Sequence, residues 1–191
     1  MFDEFAHRHT QCTVDGVADI VILSRDSKGS SVVGKESMYI GRFSPTSSVS
    51  KGSMVVVTDS FLVQTLRITP DRDNYCGMVK TNELITVQRH TQTLDANGNA
   101  IGDPIFIAVQ SNIKTFSQYV TAQLRQEVIG LLPTTVIALQ MQTTVDIKRP
   151  DDPLLTSYDR VILNGRPYSV DVVDDSKFPN LLHVELSEDT R

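Results

Sequence analysis

The sequence predicts a mainly β protein: small SH3- or OB-like β-barrel modules with a long protruding hairpin and one or two short helices. Three observations carry this. Short apolar, β-branched runs recur along the chain, separated by Ser-, Gly- and Pro-rich stretches. Two Asn-Gly pairs, Asn97-Gly98 and Asn164-Gly165, stand between strand-like runs, and a type I′ turn takes positive φ at both central residues. Part of the strand pattern also recurs along the chain at a shift of 107 residues.

Taken from the N-terminus, Phe2–Cys12 (FDEFAHRHTQC) reads as a short amphipathic helix with Phe2, Phe5 and Ala6 on one side. Strand-like runs follow at Ala18–Leu23, Ser37–Ile40, Met54–Val57, Phe61–Ile68 and Leu84–Val87. Between them Asp26–Gly34 and Ser44–Ser53 read as loops. From about Thr86 the pattern lengthens. TVQRHTQTL, the polar tip DANGN and PIFIAVQSNIK form a long hairpin. Phe116–Leu132 has helical spacing, with Tyr119, Val120, Leu124, Val128, Leu131 and Leu132 on one face, and Pro133 ends it after about four turns. A strand over Thr135–Ile147, a Pro-Asp loop over Arg149–Pro153, the hairpin over Tyr158–Asp175 and a strand over Leu181–Leu186 complete the chain. In the Asn164-Gly165 hairpin, Val161 and Leu163 are expected to face the core, with Tyr168, Val170 and Val172 packing from the opposing strand.

The shift of 107 sets Met54-Val55-Val56 on Val161-Ile162-Leu163, Phe61 on Tyr168 and Val63 on Val170. After a gap, Ile85-x-Val87 parallels Val184-x-Leu186. If this is a true repeat, the chain is two related β modules, residues 1–87 and 88–191. Otherwise it reflects only the likeness of any two small hairpins.

Composition narrows the function. The 191 residues carry a net charge of −5, against a strongly basic nucleic-acid binder whose affinity comes from neutralised phosphates. Cys12 and Cys76 are the only cysteines, too few for a disulfide framework, and no signal peptide is read at the start, so folding in a reducing cytoplasm is expected. No apolar stretch approaches the roughly 20 residues of a membrane span. Asp95-x-Asn97-x-Asn99 begins like a calcium loop. However, Gly98 stands fourth rather than sixth, and Phe106 occupies the twelfth position, where a bidentate Glu is needed. His7-x-His9-x-x-Cys12 lacks a second ligand pair at zinc spacing, so solvated histidines are expected and no metal or other cofactor. The pairs Asp71/Asp73, Asp151/Asp152 and Asp174/Asp175 lie beside turn residues, where Asp bonds its own backbone. No G-x-S-x-G, phosphate-cradling Gly loop or C-x-x-C is present, so no enzymatic activity is expected.

The order of elements from Thr86 to Glu188 carries a resemblance. It runs strand, polar tip DANGN, a strand ending A-V-Q-x-x-I (Ala108–Ile113), a variable segment, and the long strand VIALQMQTTVDI. The hairpin D-R-V-x-x-N-G-R-x-Y-x-V (Asp159–Val170), an Asp-rich turn and L-x-V-x-L (Leu182–Leu186) follow. This half of the chain resembles the stopper, or head-completion, proteins at the head–tail junction of long-tailed bacteriophages, whereas residues 1–85 do not fit that pattern.

The resemblance implies a structural virion protein assembled in the bacterial cytoplasm. It forms a homo-oligomeric ring, a hexamer in that family, with a portal or adaptor protein on one side and tail proteins on the other. Double-stranded DNA passes through the lumen without sequence-specific binding, and no membrane is involved. Thr115–Thr134 takes the place of the segment that can reach into the channel. Phe116, Gln118, Tyr119, Thr121, Gln123, Arg125 and Gln126 are its candidate channel-facing or gating residues, unless the stretch is a core helix. The hairpin over Gln88–Pro104, tipped by Asp95, Asn97, Gly98 and Asn99, is the candidate inter-subunit contact, since a lone two-stranded hairpin is marginal in water. Asn164-Gly165 is a structural turn. The alternative is a nucleic-acid- or ligand-binding β-barrel, which should interleave basic and aromatic residues on one face. Around the terminal hairpin only Arg160, Arg166, Tyr158 and Tyr168 offer this. A hydrolase built on the Asp pairs ranks last.

Overall fold

In the computed structural model, residues 2–26, 36–95, 97, 99–128, 130–153 and 157–189 are described. They form two closed six-stranded antiparallel barrels. A 3-10 helix over Asp3–Arg8 opens the chain. The first barrel comprises β1 (Thr10–Val14), β2 (Val17–Arg25), β3 (Met38–Phe43), β4 (Met54–Val56), β5 (Ser60–Ile68) and β6 (Asn74–Lys80), in the order β1-β2-β3-β6-β5-β4. The second comprises β7 (Glu83–Leu94), β8 (Ala100–Tyr119), β9 (Ile137–Gln142), β10 (Asp159–Leu163), β11 (Arg166–Phe178) and β12 (Leu181–Glu188), with the short helix α1 (Ala122–Glu127) between β8 and β9. Its order around the barrel is β10-β11-β12-β9-β8-β7.

Adding six to each strand number turns one cyclic order into the other, so the two topologies are the same. The registers agree as well. Val55 opposes Phe61 as Val161 opposes Tyr168, and Val14 opposes Val55 as Val87 opposes Val161. Gly41 opposes Cys76 as Leu139 opposes Val184. Even the β-bulge recurs: the ladder skips Gln64 between Val63 and Thr65, and Asp171 between Val170 and Val172. The bulge carries Val173 rather than Val172 into the core, a shift that alternation read from the sequence does not contain.

These registers correct the sequence alignment in two places. Val55, not Met54, is the counterpart of Val161. Ile85 and Val87 correspond to Cys12 and Val14, whereas Val184 and Leu186 correspond to Cys76 and Met78. β7 belongs whole to the second barrel, so the modules meet at Thr81-Asn82 rather than at residue 87.

Two strands were not expected. β1 takes the end of the stretch read as a helix, which is helical only over Asp3–Arg8. β6 (NYCGMVK) is interrupted by Gly77, where a Cβ would stand 2.5 Å from Thr65 Oγ1. The helix expected over Phe116–Leu132 is six residues long, because Phe116–Tyr119 instead completes β8 and pairs with β9. Asp174 and Asp175 lie within β11, and the turn to β12 comes after Phe178. Asp26–Gly34 falls almost wholly outside the described residues.

The barrels are packed together. Leu62 and Val79 of the first form a buried cluster with Phe116 and Leu181 of the second. Around it, Gln142 Nε2 donates to Gly52 O (3.0 Å), Asn180 Nδ2 to Lys51 O (3.0 Å) and Lys114 Nζ to Ser60 Oγ (2.8 Å). Linker residue Asn82 pairs with the β8 backbone at both ends of its amide, accepting from Ser117 N (2.7 Å) and donating to Ser117 O (2.8 Å).

Candidate functional site

Two features set this molecule apart from a pair of plain barrels: an arm formed by β7 and β8, and a cleft where the barrels meet. The arm leaves the second barrel beyond Val87. At its root the Arg89 guanidinium donates to Asp159 Oδ1 (2.8 Å) and Oδ2 (3.0 Å) and to both oxygens of Asp146 (2.9 and 3.1 Å). The Asp159 side chain is fully buried and also accepts from Lys148 N (2.7 Å). Hydrogen bonding to Arg89 holds the Asp146 carboxyl below its ordinary range.

Strand alternation gives the arm two unlike faces. On one, His90 stacks on Tyr158 (4.5 Å between centroids), Phe106 meets both edge-on, and the Arg160 guanidinium lies 3.7 Å from the centre of the Phe106 ring. On the other, Ile101, Ile105 and Ile107 are more than half exposed, and Val109 is exposed as well. β8 pairs with β9 only over Phe116–Tyr119, so from Ala100 to Thr115 its outer edge pairs with no described strand. The tip is tied to itself: Asp95 Oδ1 accepts from Asn97 N (2.8 Å) and Asn99 N (2.7 Å). Gly98 lies outside the described residues.

The cleft has a volume of about 300 Å³. Met38, Phe116, Leu124 and Phe178 supply apolar wall, and Gln64, Gln140 and His183 supply polar groups. Gln64, the bulge residue of β5, donates from Nε2 to Gln140 Oε1 (2.6 Å). His183 on β12 opposes Gln140 on β9 and Asp174 on β11. Its ring is buried, and neither nitrogen has a hydrogen-bond partner among the described residues. Burial, helped by the positive charge of Lys177, pushes the imidazole down to about 4 against the pull of Glu185 and Asp174, so it is neutral at pH 7.

The segment expected to face a channel divides into unlike parts. Phe116 is buried between the barrels in a cluster with Leu62, Val79 and Leu181, and borders the cleft. Gln118 lines the cleft. Tyr119 is exposed at the end of β8. Thr121 caps α1, its Oγ1 accepting from Leu124 N (3.2 Å). Gln123 and Gln126 are exposed, whereas the Arg125 guanidinium is held by Leu132 O and Thr135 O. Glu185 fastens the same loop, accepting from Thr135 Oγ1 (2.7 Å) and Leu132 N (3.1 Å). Asn164 and Gly165 have φ of 50° and 77°, the left-handed conformation a type I′ turn takes. His183, Gln64 and Gln140 were not singled out from sequence. Each stands in an ordinary strand pattern and gains its setting only when the other barrel covers it.

The other motifs do not converge. His9 stacks on Phe2 and contacts Phe2 O through Nε2, while Cys12 is buried in the first barrel. Burial and the charge of Asp19 push the Cys12 thiol up to about 11, and burial pushes Cys76 up to about 12, so both stay protonated and unreactive. Asp73 is buried near the β5–β6 turn, Asp175 bonds Arg149, and Asp174 accepts from Ser176. Besides Arg160 over the Phe106 ring, a basic-aromatic group forms on the first barrel, where Arg67 and Arg42 lie 4.3 and 5.7 Å from the Tyr75 ring centre. Comparison with known protein families and with curated proteins gives no match for this chain.

Proposed function

We propose that this chain is a structural subunit of a tailed-bacteriophage neck. It forms a homo-oligomeric ring between portal or adaptor and tail, closing and lining the passage for DNA and offering the tail an attachment surface. The arm is the observation that carries this. Both barrels are closed by strand pairing, and the arm extends beyond them, holding out in water an edge that no described strand pairs and a row of isoleucines. An exposed edge of that kind is a liability in a monomer and a template for pairing in an assembly. The element order of the second barrel, with its G-R-x-Y-x-V hairpin, supplies the likeness to stopper proteins, and the reading gives the chain no catalytic role.

The test is assembly. Wild-type protein and Ile105→Asp/Ile107→Asp are compared by mass photometry and negative-stain microscopy up to millimolar loading. Closed rings that the double variant loses are expected. A wild-type chain that stays monomeric throughout that range overturns the proposal.

A second reading, a nucleic-acid-binding barrel, is favoured by the Arg42–Tyr75–Arg67 group. Aromatic and basic side chains interleaved on one barrel face are what single-strand binding uses. In a ring the same group could instead meet the DNA backbone. Oligonucleotide binding by the monomer, weakened by salt and by Arg67→Ala, would favour the second reading.

A further inference from the structure

The arm needs a seat, and the molecule carries one surface that fits it. The cleft between the barrels holds about 300 Å³, far more than the roughly 30 Å³ share of one water. Its walls are mainly apolar, but the His183 ring, only 7% exposed, leaves both nitrogens without partners among the described residues. A neutral imidazole has one donor and one acceptor to satisfy, and burying them unmet is unfavourable. An occupant that suits the cleft therefore brings both apolar side chains and backbone-like hydrogen-bonding groups. Water brings only the second.

The β8 edge of the arm brings both. Ile105 and Ile107 are 61% and 55% exposed, and the backbone along that edge is unpaired by any described strand. The arm also carries little charge to desolvate: from Thr91 to Ile113 the sequence has only Asp95 and Asp103. Position agrees too. Ile107 stands nine residues before Phe116 on β8, about 30 Å along the strand, so the isoleucines of the arm lie far from the cleft of their own subunit. Joining them links copies head to tail, the heterologous contact that closes into rings.

We infer that the arm of one subunit seats in the inter-barrel cleft of the next copy, with Ile105 and Ile107 entering the apolar pocket and the β8 edge facing His183. The seating rests on the ring assembly proposed above, and complementation of two defective variants tests it. Ile105→Asp/Ile107→Asp has a broken arm and an intact cleft. Ala138→Phe has an intact arm and a filled cleft, with Gln118→Trp as an independent block at the same cleft. Circular dichroism establishes that each is folded. Each variant alone is expected to be monomeric, with association at least tenfold weaker than wild type. An equimolar mixture of broken-arm and filled-cleft chains is expected to stop at 1:1 dimers, because one sound arm and one sound cleft remain. Wild-type assembly by both cleft variants overturns the seating and leaves the ring standing. No dimer in the mixture also overturns it, in favour of arm-to-arm contact. A wild-type chain that never associates overturns both.

Discussion

The two barrels place three residues at matching points of matching strands, and the outcomes are opposite. In the first barrel Arg42, Tyr75 and Arg67 lie side by side across β3, β6 and β5. In the second, Gln140, His183 and Asp174 occupy the same registers of β9, β12 and β11. The first trio faces outward as a cation–π ladder. In the second, Gln140 bonds Gln64 of the other barrel, and the middle residue is buried with no hydrogen-bond partner among the described residues. The same contrast holds at the β-hairpins. β1 and β2 are joined by Asp15-Gly16 alone, while β7 and β8 run on into the arm. One topology thus serves as a plain support in one copy and as a working surface in the other, through what is appended to it and what covers it.

The largest expected effect lies at the arm root, which the first barrel lacks. Arg89→Ala would leave the fully buried Asp159 carboxylate without its cation. Urea denaturation should show a loss of about 3–5 kcal/mol. A loss under 1 kcal/mol would mean that the backbone N–H of Lys148 suffices. Next come the cores. Gly41 sits under Phe43 and Met78, where an added Cβ would stand 2.7 Å from Met78 Cε, and its counterpart Leu139 belongs to a core cluster with Met141 and Leu186, the counterparts of those two. The first barrel fills with Phe43 over a glycine the space that the second fills with Leu139 and Met141. Leu139→Ala should therefore destabilise by about 2–5 kcal/mol through a cavity, and Gly41→Ala by about 1–3 kcal/mol through overpacking. Equal tolerance at both sites would break the equivalence.

Much of the fold was legible because strands announce themselves by β-branched runs and turns by Gly and Asn. Met54–Val57, Phe61–Ile68 and Leu181–Leu186 fall on β4, β5 and β12 almost as written. What escaped notice is what alternation cannot encode. The bulges at Gln64 and Asp171 reset which side chains face inward. β6 hides behind Gly77. Phe116–Tyr119 has helical spacing but is claimed by pairing with β9, since a tertiary ladder outweighs a local period. The arm was legible from its Asn-Gly tip and polar length. The cleft was not, because it exists only between two modules whose docking leaves no local mark on either.

Acid should sharpen the contrast between Tyr75 and His183. The His183 imidazole, held near 4 by burial, lies below its ordinary 6.5, so on acidification the unfolded chain takes up the proton first. Stability is then lost as pH falls from about 6.5 toward 4 and levels off below. By pH 5 the loss should reach about 2 kcal/mol in the monomer. Asp146 and Asp174, whose carboxyls are held below 3.8, add their own losses only at lower pH. Thermal melts of wild type and His183→Gln at pH 7 and pH 5 measure the difference. A variant as acid-sensitive as wild type would show that the ring is not the group responsible.

The smallest effect compares the two tight turns. Asp15-Gly16 has φ of 50° and 86°, and Asn164-Gly165 has φ of 50° and 77°, so each barrel carries one turn of the same left-handed type. Neither glycine is crowded: a Cβ at Gly16 or Gly165 would meet nothing within 4 Å. Any loss from substitution therefore comes from backbone conformation alone, and a β-branched residue resists positive φ. Gly16→Val and Gly165→Val should each destabilise by about 1–3 kcal/mol, and by similar amounts, because the strain is the same and no packing differs. If Gly165→Val melts like wild type while Gly16→Val does not, the terminal hairpin can reach its register through another turn. Because the two turns join non-equivalent strand pairs, β1–β2 and β10–β11, the difference would then lie in the strands that each turn holds in register.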